Sequence, residues 1–270
     1  MSSLFDTLKR AWARANEADI GLIAAGIAYY TFLSFIPLLA ATVLIYGIAV
    51  DPETLAEHTA GLARSLPGSA ADLVNDQLEA VVETRSGASG LGLLAALAGS
   101  LFAARVAAGA VIKALNDAFG AKDDRGFIKS NLLALAITVG AVIAMGVVAA
   151  TTALVSTVLQ GAGGAFAGYA IVGAAGVGGA LMAYRTVPNT HAVSTKAALR
   201  GAILFAVGWM VASAAFGFYV AQFGNYNATY GSLGAIVVFL TWLFLSAYLL
   251  LLGAHTACAC DPRRRESEGV

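Results

Sequence analysis

A single arginine within an apolar segment is the residue of this sequence best placed to do chemistry. Arg105 lies in the run Leu101-Phe-Ala-Ala-Arg-Val-Ala-Ala-Gly, near the middle of a predicted membrane helix. A charge at that depth costs about 2.5–3.5 kcal/mol on insertion scales and should face protein or water. No acidic residue lies at a comparable depth, so the guanidinium needs carbonyls, hydroxyls, water or an anion such as a lipid phosphate. A structural arginine that is satisfied by carbonyls or by snorkelling is the alternative.

Hydroxyl groups that precede a proline form a second candidate. Tyr29, Tyr30 and Ser34 stand just before Pro37 in the first apolar stretch. Proline removes one backbone hydrogen bond and predicts a kink, beside which hydroxyls could line a cavity. Hydrogen bonding between helices is the simpler interpretation. Tyr230, in the predicted loop before the last helix, fits the aromatic belt of a membrane interface.

The residue patterns of soluble enzymes are missing. The sequence has no phosphate-binding glycine loop, no H-E-x-x-H and no G-x-S-x-G. Its three histidines fall on segments predicted to lie on opposite faces of the membrane. Cys258 and Cys260 form a C-x-C pair without the second pair that a zinc site needs. We therefore expect no enzymatic activity, no cofactor and no metal.

Composition indicates which elements position these residues. Of 270 residues, 59% are hydrophobic and only 12% are charged, and the mean hydropathy is +0.78. So few charges cannot cover the surface of a water-soluble fold. Six stretches are long and apolar enough to cross a bilayer, which predicts an all-α, polytopic membrane helical bundle with six transmembrane helices: Ile20–Val50, Leu91–Leu115, Leu132–Leu159, Phe166–Ala183, Leu199–Phe223 and Leu233–Ala257.

The positions of Lys and Arg predict the orientation of the helices. The cations cluster before the first helix, after the second, between the fourth and fifth, and after the sixth. These segments share one face of a six-span protein, so that face and both termini are expected to be cytoplasmic. The net charge is zero, and we expect no nucleic-acid partner.

Three regions follow from this topology. Residues 1–19 form a cytoplasmic amphipathic segment, 20–257 the membrane domain and 258–270 a cytoplasmic tail. The external segment, about residues 51–90, is rich in acids, and its apolar residues recur at helical spacing. We expect two short amphipathic helices there, separated at Pro67 and Gly68.

Several segments together resemble the YihY/BrkB family of bacterial inner-membrane proteins, once labelled ribonuclease BN. The resemblance covers nearly the whole chain and rests on these runs: Ala25-Gly-Ile-Ala-Tyr-Tyr-Thr-Phe-Leu-Ser-Phe-Ile-Pro-Leu, Ala114-Leu-Asn-Asp-Ala-Phe, Tyr184-Arg-Thr-Val-Pro-Asn, and Tyr230-Gly-Ser-Leu-Gly-Ala through Trp242 to Leu252-Gly-Ala. From these runs, Asn116, Arg185 and Tyr230 join Arg105 as candidate lipid-binding or substrate-binding residues. The family commonly has Gly-Ala-Glu where this chain has His255, which we expect at the surface.

Two functions follow as hypotheses. The resemblance and the mid-helix Arg105 favour a transporter or lipid-handling protein of the cell envelope, with membrane lipids, in particular an anionic phospholipid, as partners. The alternative is an envelope scaffold that binds another envelope protein through its acidic external segment. Small-residue faces such as Gly164-x-x-x-Gly168 permit a homo-oligomer. The cations without a hydrolytic cluster argue against a ribonuclease.

Overall fold

The computed structural model describes residues 4–49, 90–122, 124–159, 161–190, 193–223 and 227–261. Within these ranges the regular structure is helical throughout. The helices are α1 Leu4–Glu17, α2 Ile20–Ala49, α3 Gly90–Ala118, α4 Phe127–Val158, α5 Ala162–Thr186, α6 Thr195–Phe223 and α7 Asn227–Cys260.

The first helix is amphipathic, as its sequence predicts. Ala11 and Ala15, one turn apart, are buried, whereas Lys9 and Trp12 are exposed. The Trp12 ring meets the Tyr248 ring of α7 at a centroid distance of 6.3 Å. The chain then reverses at Asp19, whose φ of 48° lies in the left-handed region that Asp tolerates better than most residues. α1 therefore packs along α7 before α2 begins.

Each predicted apolar stretch lies within or alongside one long helix, but the helices extend beyond the apolar residues. α4 begins at Phe127 where the sequence predicts Leu132, and α7 begins at Asn227 where it predicts Leu233. The prediction that Tyr230 lies in a loop is therefore wrong, because Tyr230 belongs to α7. Hydropathy marks only the apolar part of a helix, whereas the backbone ladder continues into polar residues at the ends.

Four helices among the described residues are long and apolar enough to cross a membrane: Ile128–Val155, Gly163–Thr186, Thr195–Tyr219 and Ile236–Cys260. Ile20–Ser34 forms a shorter apolar helix within the same residues. α2 is helical through Pro37, whose side chain lies outside the described residues, so the kink stays a prediction. The external segment, with the two amphipathic helices predicted for it, also lies outside the described residues.

The long helices form a ring in chain order. Each helix from α2 to α6 packs against the next, and α7 closes the ring on α2. α7 also contacts α1, α3 and α5, which makes it the helix around which the bundle is organised. The ends of α3, α5 and α7 meet the starts of α4 and α6 at one end of the ring, which we call the junction end.

The buried core is concentrated at the junction end. Its fully buried large side chains include Leu115, Phe119, Tyr184 and Leu251, and small residues of α6 and α7 fill the space between them. A Cβ on Gly253 would lie 2.7 Å from the carbonyl oxygen of Gly201 and would also meet the Tyr184 hydroxyl. Only glycine permits so close a contact between two helix backbones.

The Gly164-x-x-x-Gly168 face packs within the chain. A Cβ on Gly164 would meet the carbonyl oxygen of Leu159, and one on Gly168 would lie 3.4 Å from the Thr152 methyl group. Both glycines therefore face the end of α4. This accounts for the small residues without a second copy of the chain.

Candidate functional site

Arg105 lies in the seam between α3 and α4, where one of its partners is an amide. Its Nε donates a hydrogen bond to Oδ1 of Asn131 over 2.6 Å. Its guanidinium carbon lies 5.9 Å from the centre of the Phe102 ring, within the range of a cation–π contact. Asn131 carries no charge, so this hydrogen bond orients the guanidinium without neutralising it.

The contact with Asn131 also places the charge of Arg105 along the length of α4. The candidate span of α4 begins at Ile128, so Asn131 lies close to its start at the junction end. The side chain of Arg105 therefore reaches from the middle of α3 to the first two turns of α4. Phe102, 62% exposed, lies on the outer side of the same seam.

A second polar group joins the loops of the junction end. Oδ1 of Asn116 accepts the backbone N–H of Asn189 over 2.7 Å, and Nδ2 of Asn189 donates to the Lys122 carbonyl over 3.1 Å. Nη2 of Arg125 donates to the Val187 carbonyl over 2.7 Å. We call these five residues the polar junction, because they tie the α3–α4 loop to the α5–α6 loop.

Asn116 is the buried centre of the polar junction. It is 2% exposed, and its Nδ2 has no hydrogen-bond partner among the described residues. The bond from Asn189 fixes which end of the Asn116 amide is the acceptor. A donor is thus left buried, and an unpaired buried donor costs about 1–3 kcal/mol.

Arg105 and Asn116 belong to one face of α3. Positions 105, 109, 112 and 116 follow the helical repeat, so their side chains leave the helix in similar directions. Arg105 uses this face to reach α4, and Asn116 uses it to reach the loop after α5. The sequence singled out both residues but did not indicate that they share a face.

Runs of residues that are far apart in the sequence converge beside this face. The rings of Phe119 and Tyr184 lie 6.0 Å apart, the Tyr184 hydroxyl donates to the Leu250 carbonyl over 2.7 Å, and the Cys258 thiol donates to the Ala118 carbonyl over 3.3 Å. Three of the runs that carry the family resemblance are therefore parts of a single packed unit.

The hydroxyl residues of α2 are arranged differently. Tyr29 and Tyr30 are exposed, with ring centres 5.8 Å apart. Ser34 is buried and donates to the Tyr30 carbonyl one turn earlier. The described contacts do not join these residues to Arg105. Ser34 is satisfied within its own helix, which agrees with a structural role.

The remaining predicted residues are at the edges of the site. Arg185 is exposed at the end of α5 and lines an open cleft of about 460 Å³ with Gly178, Leu181, Met182 and Thr186. Tyr230 lies in α7, with its side chain outside the described residues. His255 is 6% exposed, so its predicted surface position is wrong. It lies within the electrostatic range of Arg14, because α1 covers this part of α7.

Four residues of the site were not selected from the sequence: Asn131, Asn189, Arg125 and Lys129. Arg125 and Lys129 line an open cleft of about 650 Å³ at the start of α4, together with Asp124, Gly126, Ile128 and Asn189. The sequence does show Asn131 as a polar amide at the start of the apolar run after α3, but it does not show that this amide meets Arg105. Among the described residues, no three His, Cys, Asp or Glu side chains converge as metal ligands would.

Comparison with known proteins places the chain in a family. Residues 11–269 match the model of the family described as virulence factor BrkB. The chain is 27% identical over 279 residues to the ribonuclease-like protein YfkH of Bacillus subtilis, covering 96% of each chain. It is 30% identical over 265 residues to a UPF0761 membrane protein of Pseudoalteromonas translucida, covering 94% of this chain and 85% of that one.

A shorter match extends to a UPF0761 membrane protein of Tolumonas auensis, which is 43% identical over 79 residues, or 29% of this chain and 26% of that one. No solved structure matches the chain. The family match over nearly the whole length agrees with the resemblance seen in the sequence and with the apolar helices of the fold. The chain is a helical membrane protein of the BrkB family.

Proposed function

We propose that this protein handles or transports lipid in the bacterial inner membrane, with six spans and both termini in the cytoplasm. In this topology the junction end faces the cytoplasm, because the Lys and Arg residues of the sequence cluster there. The observation that carries the proposal is the α3–α4 seam, where Arg105 is oriented by Asn131 at the edge of the bundle.

The seam suits a lipid because a positive charge adjoins an apolar surface. The α4 side chains Ile128, Leu132 and Leu135 are exposed, as residues in contact with acyl chains are. Arg105 reaches the same helix from α3 through Asn131. A phosphate needs charged hydrogen-bond donors, and an acyl chain needs apolar surface. Both lie within one seam.

The test is translocation of a labelled anionic phospholipid in liposomes that contain the purified protein. Wild type is expected to accelerate translocation, and Arg105→Ala is expected to reduce it to the rate of protein-free liposomes. Lys113→Ala is the matched control, because Lys113 is an exposed cation on the same helix and its loss should leave the rate unchanged. Equal acceleration by wild type and Arg105→Ala would remove Arg105 from the proposal but keep the function.

Absence of acceleration by any form would overturn lipid handling and leave the envelope scaffold. A partner that co-purifies with the intact protein but not after deletion of residues 53–84 would then support the scaffold. Ribonuclease activity is not part of the proposal, although one relative is named as ribonuclease-like. We expect the purified protein, supplied with Mg²⁺, to leave RNA intact.

A further inference from the structure

The cleft at the start of α4 has the composition of a phosphate site. Its lining joins Arg125 and Lys129 to Asp124, so the charged side chains sum to one positive charge. Arg125 is held in position by the Val187 carbonyl. Lys129 is exposed, and its side chain makes no hydrogen bond or ion pair with the residues that the structure describes. The cleft thus offers one fixed and one adjustable cation.

The backbone adds donors to the same cleft. Gly126, the residue before α4, has extended φ and ψ of −61° and 158° and supplies no side-chain cap. The first N–H groups of the 32-residue helix α4 therefore have no side-chain acceptor at the cap. The positive end of the helix dipole lies at this point. A phosphate oxygen is an acceptor suited to such amides.

A buried donor lies behind the cleft. Asn189 lines it, and the backbone N–H of Asn189 is bound by Asn116, whose own Nδ2 has no partner. This unpaired amide is independent of the cations and of the helix end. Asn116 does not line the cleft itself, and it acts on the cleft by holding Asn189 in the wall.

The surroundings distinguish a lipid from a soluble phosphate. Ile128, which lines the cleft, is 80% exposed, and Leu132, one turn further along α4, is 65% exposed. This apolar stripe runs from the cleft into the candidate span, which begins at Ile128. Head groups lie at the level where a spanning helix leaves the hydrocarbon. The stripe would pack against acyl chains while the cleft holds the phosphate.

We propose that this cleft binds the phosphate of an anionic phospholipid, with Lys129 as its main adjustable ligand and Arg125 as its fixed one. The inference deepens the proposed function by giving the lipid a docking site. It rests on that function for the identity of the ligand as a lipid. Arg105 lies in the same α3–α4 seam, where it is hydrogen-bonded to Asn131 of α4.

Lipid binding to the full-length, delipidated protein in detergent tests this site. Phosphatidylglycerol, phosphatidylcholine and inorganic phosphate are titrated separately, and the bound fraction is measured by native mass spectrometry. Lys129→Gln should weaken phosphatidylglycerol binding about fivefold, the effect of one cation near a membrane surface. Lys129→Arg should preserve the affinity. Lys196→Gln is the matched control, since Lys196 is exposed in the first turn of α6, outside the cleft.

Equal weakening by Lys129→Gln and Lys196→Gln would overturn the site, because general charge would then explain binding. Inorganic phosphate binding with the affinity of phosphatidylglycerol would overturn the lipid as ligand. The two proposals fail separately. Lipid binding that depends on Lys129, without translocation in liposomes, would keep the site and reject transport. If the protein translocates lipid but Lys129→Gln leaves its lipid binding unchanged, the site is rejected and the proposed function is kept.

Discussion

The junction end and the distal part of α4, residues 138–158, contain similar apolar residues, but the first is tightly packed and the second is largely exposed. At the junction end, side chains from α3, α5, α6 and α7 exclude solvent, and glycines bring helix backbones into contact. Along α4, the described contributors to the buried cluster and its partly buried neighbours end at Ile137. Beyond it, Ile143, Val147 and Val158 are all exposed.

The difference shows that hydrophobicity alone does not hold a membrane bundle together. Lipid is as apolar as leucine, so burying a leucine between helices gains little. Close packing of small residues and satisfied polar groups supply the association instead. The distal part of α4 has little close packing of small residues and few polar contacts with other helices. The start of the same helix borders the seam that contains Arg105.

Adding one methyl group should separate the two regions most clearly. Gly253→Ala places a Cβ against the Gly201 carbonyl and the Tyr184 hydroxyl, so we expect a loss of about 2–3 kcal/mol of stability from overpacking. The matched change Gly140→Ala lies on α4 with nothing within 4 Å and should be neutral or stabilise by up to about 1 kcal/mol. Thermal unfolding in detergent measures both, and equal destabilisation would refute the contrast.

The second largest loss of stability is expected from the buried amide of the polar junction, Asn116. Asn116→Leu removes the acceptor of the Asn189 N–H and also the unpaired Nδ2 donor, so the two effects partly offset and the net cost should be about 1–2 kcal/mol. Asp117→Ala changes the neighbouring exposed residue and serves as the control. Protease cleavage within the α5–α6 loop should become faster in Asn116→Leu only. An unchanged cleavage rate would show that this hydrogen bond does not hold the loops together.

A smaller loss is expected from the Tyr184 hydroxyl. Tyr184→Phe keeps the ring contact with Phe119 but removes the hydrogen bond to the Leu250 carbonyl. The expected destabilisation is about 0.5–1.5 kcal/mol, measured by the shift in unfolding temperature. Tyr169→Phe, at an exposed tyrosine of the same helix, is the comparison. If both variants melt alike, the hydroxyl of Tyr184 adds nothing to the packed end.

The smallest effect should come from the exposed part of α4. Ile143→Ala trims a side chain that meets no buried cluster, so the stability should change by less than about 0.5 kcal/mol. Leu251→Ala, in the packed region, should cost about 1–3 kcal/mol, because the cavity it opens removes packing contacts. A comparable loss in Ile143→Ala would mean that α4 is held by packing in the same way as α7.

The sequence predicted the long helices because their apolar runs exceed the thickness of the hydrocarbon. It misplaced the starts of α4 and α7, since Lys129, Asn131 and Tyr230 are polar residues that the helices include. It also identified Arg105 from the cost of a charge in an apolar run. Its partner Asn131 was missed because the pairing of α3 with α4 depends on the rotation of both helices, which hydropathy does not encode.

The burial of His255 was missed for a related reason. The position of His255 near the end of the last helix predicts exposure to solvent. In the structure, α1 packs along α7 and His255 is buried. Asn116 was selected only through the family resemblance. Its position between two loops depends on long-range contacts that no local pattern contains.

The contact between Gly201 and Gly253 has one more consequence. The missing Cβ of each residue would point at the carbonyl oxygen of the other, so each glycine directs an α-hydrogen at that oxygen instead. This arrangement suits a reciprocal pair of Cα–H···O contacts, each worth about 0.5–1 kcal/mol. Unlike dispersion, these contacts depend on direction. Two such contacts together fix the rotation of α6 about its own axis relative to α7.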